Sequence, residues 1–77
     1  MHLVHYAAMS KLTHYLAKEG LTQRAFAARV SVDPSIISRL TREEMTPGLQ
    51  LAVDIERETN GFVPASSWVE ASLKRAG

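Results

Sequence analysis

Cysteine is absent from this 77-residue chain, which excludes a disulfide framework and any zinc site built on thiolates, and fits a reducing compartment. No apolar run approaches the roughly 20 residues of a membrane span, and the first residues do not show a signal peptide's charged and apolar segments in order. A cytoplasmic protein is therefore expected. The usual catalytic constellations are missing too. There is no cysteine nucleophile, no glycine-rich phosphate loop and no serine with an evident base, and Asp54, Glu56 and Glu58 read as the solvated face of a helix rather than as paired acid and base. His2 and His5 stand at helical spacing, with His14 further on, but no third ligand accompanies them. The expectation is no metal, no cofactor and no enzyme. Aromatic residues are scarce, and the single tryptophan, Trp68, is expected in a core or interface, because so small a chain needs its large apolar groups for burial.

What is present fits one small domain. A chain of this size buries only about 60% of its unfolded surface and does not divide further. The net charge of +1 conceals a segregation. Residues 10–42 carry Lys11, Lys18, Arg24, Arg29, Arg39 and Arg42 against Glu19 and Asp33, a net +4. Residues 43–77 carry Arg57, Lys74 and Arg75 against Glu43, Glu44, Asp54, Glu56, Glu58 and Glu70, a net −3. Such asymmetry orients a domain in the field of a polyanion, basic half inward.

The basic half contains the most informative pattern, QRAFAARVSVDPSIISRLTR over 23–42. Phe26, Ala27 and Val30 fall on one helical face, and Ile37 and Leu40 repeat the spacing after a tight turn, so two stripes share one core. The small Ala27 sits where the helices cross, and contact residues set an interaxial distance of about 8–10 Å. Asp33-Pro34 marks the second helix's start, an N-cap acceptor followed by proline where its missing N–H costs nothing. That places Ser35, Ser38, Arg39 and Arg42 opposite Ile37 and Leu40, the side-chain types that read base edges and phosphates. Two amphipathic helices joined by a short turn also occur in helical proteins that never meet DNA; the caps, the outward Ser/Arg face and the charge segregation together favour the DNA reading.

At these residues the chain resembles the Cro and repressor-type helix-turn-helix regulators of bacteria and their phages, from about Leu12 to Trp68. The matching features are Gln23, Phe26-Ala27, the Val30/Val32 pair, Ile37, Leu40 and the downstream Thr46-Pro47-Gly48-Leu49-Gln50-Leu51-Ala52. The resemblance implies that Pro34, Ser35, Ser38 and Arg39 face bases, that Arg42 reaches a base or the backbone, and that Gln23 meets a phosphate, with Thr22 and Arg24 beside it on the phosphate side. It also implies a lambda-repressor-like, all-α fold. Two departures stand out. Ser31 occupies a turn position usually held by glycine, at a cost of roughly 1–2 kcal/mol if left-handed, and Glu43-Glu44 follows the recognition helix where basic residues are common. Those carboxylates repel phosphates, and are expected to lower affinity, to pair with Arg39 or Arg42, or to face a partner.

The remaining segments also read as helices. Ser10 caps a helix through Glu19 carrying Leu12, Tyr15 and Leu16 and closed by Gly20; Thr22 caps the next. Thr46-Pro47 is expected to open a helix bearing Leu49, Ala52, Val53 and Ile55 or Glu56 and ending at Asn60-Gly61, with Leu51 and Ile55 also sharing a second face. Pro64 with Ser66 or Ser67 begins a last helix with Trp68, Val69 and Leu73. The expected architecture is a compact five-helix bundle over 10–77, preceded by an extension at 1–9 that lies outside the family-like region. The expected partner is double-stranded DNA at a palindromic operator, bound by a homodimer because one recognition helix with few cations binds weakly at physiological salt. The half at 47–77 is the expected dimer face, through Leu51, Ile55, Phe62, Trp68, Val69 and Leu73. The alternative is a protein-interaction module of the same fold, an antitoxin or a polymerase-contacting factor, which Glu43-Glu44 and the acidic half would suit.

Overall fold

Three side-chain oxygens start three of the helices in the computed structural model, which describes residues 10–69. Ser10 Oγ accepts the Thr13 N–H at 3.1 Å and opens α1, Lys11–Glu19. Thr22 Oγ1 accepts the Ala25 N–H at 3.0 Å and opens α2, Gln23–Arg29. Asp33 accepts the Ser35 N–H at 3.0 Å and opens α3, Pro34–Thr41, with the proline at its first position. Each cap satisfies a donor the helix cannot satisfy internally, worth about 0.5–2 kcal/mol. These are the boundaries expected from the sequence.

The helix after the motif begins later than expected. α4 spans Leu49–Glu58, its N-cap is Gly48 and no side chain caps it. Pro47 lies outside the helix and is buried. Ala52, Ile55 and Thr59 are buried, while Leu49, expected in the stripe, is 80% exposed. Past α4 the chain turns through Phe62 and Val63 and enters a helical turn at 66–69. The rest of the expected last helix with Leu73, the extension at 1–9, and His2 and His5 lie outside the described residues. Among the described residues there is no strand, and no helix is long and apolar enough to cross a membrane. The fold is all-α.

One device closes all four helices. The residue after each C-terminal turn is left-handed, and two main-chain bonds run back into the helix, the wider from the residue beyond it. At α1 the left-handed residue is Gly20 (φ 68°), with Leu21 N–H donating to Leu16 O at 3.0 Å. At α2 it is Ser31 (φ 58°), with Val32 N–H to Ala27 O at 3.0 Å; at α3, Glu43 (φ 58°), with Glu44 N–H to Arg39 O at 2.9 Å; at α4, Asn60 (φ 53°), with Gly61 N–H to Glu56 O at 2.9 Å. Only the first uses glycine.

The four helices converge on one core whose largest wholly buried side chains are Phe26, Leu12, Ile37, Leu40, Ile55 and Val63. Tyr15 meets Phe26 edge-on at 6.1 Å between centroids and donates its phenolic hydrogen to Glu58 O at 3.3 Å, tying α1 to the end of α4. Thr59, also buried, donates to Ile55 O at 2.8 Å and accepts the Val63 N–H at 3.1 Å, so the polar groups of the turn after α4 find partners inside.

Candidate nucleic-acid interface

The site is built on α2, a four-residue connection and α3. Ala27 is wholly buried, which lets α2 and α3 approach closely. Ser31 takes the left-handed conformation expected of that turn, and Val32 beyond it packs against the core. With Ile37 and Leu40 wholly buried, the helical period leaves Ser35, Arg39 and Arg42 outward at i, i+4 and i+7. All three are exposed, whereas Pro34 and Ser38 are half-buried. Thr22, Gln23 and Arg24 are exposed at the start of α2.

Hydrogen bonds bring the two helix ends together through a residue the sequence did not single out. Gln23 Nε2 donates to Thr41 Oγ1 at 3.3 Å. Thr41 Oγ1 donates in turn to Ser38 O at 2.7 Å, and Thr41 O accepts from Thr13 Oγ1 at 3.3 Å. Thr41 thus ties α1, the N-terminus of α2 and the C-terminus of α3 at one point. Its signal was legible as a threonine three residues after Ser38, a spacing that favours bonding back to the main chain.

The outward side chains are not equally available. The Arg39 side chain, among the described residues, makes no hydrogen bond or salt bridge and touches the network only through its field on Glu44. Arg42 is engaged: Nε and Nη2 donate to the two Glu44 oxygens at 2.8 and 3.1 Å, and Nη1 donates to Ser38 Oγ at 2.5 Å. The Arg42 hydrogen bond holds the Glu44 carboxyl below the usual range and raises Arg42 in turn. Of the two arginines expected to pair with a following carboxylate, Arg42 does so, in a two-pronged grip on Glu44, and Arg39 does not. Asp33 is held below its usual range by the Ser35 hydroxyl first and the Ser35 N–H second, with Arg24 adding a smaller field.

The residues expected at a dimer face divide. Ile55 is wholly buried and Trp68 nearly so, both within one protomer's core. They have no surface to give, because α4 turns its Ala52–Ile55 face inward and a domain this small uses its large apolar groups itself. Leu51 is half-buried against the core. Phe62 is partly exposed and lies 5.8 Å from the Tyr15 ring, and Val69 is 59% exposed. Val69 and Leu49 flank a shallow apolar groove of about 440 Å³ floored by Pro47, Ala52 and Trp68. Among the described residues no group of His, Asp and Glu is placed to hold a metal ion.

A family model described as helix-turn-helix matches residues 14–61, which takes in α2, the turn, α3 and α4. Comparison with curated proteins and with solved structures gave no match.

Proposed function

The chain belongs to the helix-turn-helix family of DNA-binding regulators, and from that membership we propose that it is a cytoplasmic, operator-binding homodimer that places α3 in the major groove. The observation that carries the reading is the uncommitted guanidinium of Arg39 in the middle of the outward face of α3, with Ser35 one turn before it and the Gln23 end of α2 braced beside it through Thr41. Arg39 has the fork that matches guanine O6 and N7. Gln23 and Arg24 on α2 meet the flanking phosphates. Two copies place their α3 helices about 34 Å apart on a palindrome, and the groove rimmed by Leu49 and Val69 is the apolar surface on offer for pairing.

Selection of bound sequences from random duplex DNA at two salt concentrations tests this. The expected result is an enriched palindrome whose half-sites lie one helical turn apart. Salt-labile binding with no enriched sequence would sink it, and would favour the second reading, a module docking on a basic protein through Glu43-Glu44 and the acidic half.

Glu44 is the intramolecular rival of the phosphates for Arg42. Glu44→Gln is expected to tighten DNA binding by about two- to fivefold, in line with the worth of an exposed pair. It should also steepen the dependence on log salt by roughly one, since one more cation becomes available to a phosphate. Fluorescence anisotropy titrations across a salt series measure both; an unchanged slope would mean that Arg42 stays off the backbone.

A further inference from the structure

A serine hydroxyl ordinarily rotates to donate or to accept, so serine by itself distinguishes base edges poorly. At Ser35 the rotor is stopped. Its Oγ lies 2.5 Å from Asp33 Oδ2, and the same carboxylate oxygen accepts the Ser35 N–H at 3.0 Å. An ionised carboxylate has no hydrogen to give, so the direction of the short bond is fixed: Ser35 donates and Asp33 accepts. Turning the hydroxyl hydrogen toward a base would break a charge-assisted bond, about twice as strong as the neutral one replacing it. What an exposed Ser35 has left for a ligand is lone pairs, and a hydroxyl already donating is the better acceptor.

One turn along α3 the polarity reverses. Ser38 Oγ accepts from Arg42 Nη1 at 2.5 Å, which commits lone-pair density and leaves its hydrogen to give. The two hydroxyls of α3 are therefore set in opposite senses by their neighbours, Asp33 on one side and Arg42 on the other.

We propose that Ser35 reads its base as an acceptor only, its hydrogen withheld by Asp33, so that it selects an exocyclic amino group in the major groove, cytosine N4 or adenine N6. This rests on α3 being the groove-entering helix. Every base pair carries one amino and one carbonyl group on its major-groove edge, so sequence preference alone does not settle the polarity and single-group deletions are required.

Selection with the unaltered protein and with Ser35→Ala first locates the base pair whose preference depends on Ser35. Both proteins are then titrated against duplexes altered at that pair. In one set the amino group is deleted, with purine for adenine or pyrimidin-2-one for cytosine. In the other the carbonyl oxygen is deleted, with 5-methylpyrimidin-2-one for thymine or 2-aminopurine for guanine. Amino deletion is expected to weaken the unaltered protein roughly fivefold more than it weakens Ser35→Ala, whereas carbonyl deletion weakens the two equally. Ser35→Thr, which keeps the hydroxyl, should behave as the unaltered protein. Coupling to the carbonyl oxygen, equal losses in both sets, or an enriched site in which no position responds to Ser35→Ala would each overturn the assignment while leaving the DNA-reading function intact. If the unaltered protein enriches no sequence at all, that function falls and takes the assignment with it.

Discussion

Phe26→Ala is expected to cost about 3–5 kcal/mol of folding stability, a large share of what a domain of this length holds, roughly 4–12 kcal/mol. Phe26 is the largest wholly buried side chain and meets the Tyr15 ring edge-on at 6.1 Å. Its removal takes away buried area, an aromatic contact worth about 0.5–1.5 kcal/mol and the filling between α1 and α2 at once. Urea unfolding followed by far-UV circular dichroism and by the fluorescence of the lone, buried Trp68 measures the loss. A loss below about 1 kcal/mol is the range of a surface site and would contradict the packing described above. DNA binding should fall in step with the folded fraction and no further, because Phe26 holds the crossing of α2 and α3 without facing outward.

Arg39→Ala is expected to do the reverse. Arg39 is exposed, so stability should change by less than about 0.5 kcal/mol. Affinity for the selected operator should drop by about 1–3 kcal/mol per half-site, and preference should relax at one position in each. Affinity for random duplex DNA should fall only as expected for one lost cation. Paired titrations on operator and random DNA, with repeated selection on the variant, separate these effects. Equal losses on both DNAs would reassign Arg39 to the phosphates and move base reading to Ser35 and Ser38.

These two residues mark what was legible in the sequence. The core stripe and the outward face of α2 and α3 follow from spacing, and the starts of α1, α2 and α3 from Ser10, Thr22 and Asp33-Pro34, because a cap is a local bond between neighbours in the chain. The start of α4 was not legible. Thr46-Pro47 has the composition of a cap and first turn, but Pro47 is drawn into the interior and the helix waits until Leu49. Spacing alone allows Leu49-Ala52 or Ala52-Ile55 as the inward face; contacts with α1 and with the turn after Thr59 decide, and they belong to the tertiary structure. The same cause put Ile55 in the protomer's own core rather than on a surface for pairing, and decided for Trp68 the core of the two places expected of it. At the interface, the residue types were readable but their commitments were not. That Glu44 grips Arg42 while the Arg39 side chain is left unbonded depends on Glu43 turning left-handed, which returns Glu44 toward the helix it follows.

The helices of this domain are opened and closed by different kinds of instruction. Three entrances are written in side-chain chemistry, since Ser10, Thr22 and Asp33 each present an oxygen at the right place, and few other residue types do the same. The exits are written in backbone shape alone. Their bonds run from main chain to main chain, and glycine, serine, glutamate and asparagine all serve at the left-handed position. Substitution over evolutionary time therefore meets an asymmetric filter. The entrances tolerate a small alphabet, while the exits accept a wider range of side chains at a modest conformational cost. Because the exit of α3 adjoins the face proposed to meet DNA, its side chains can drift to retune affinity without moving the helix proposed to read the sequence.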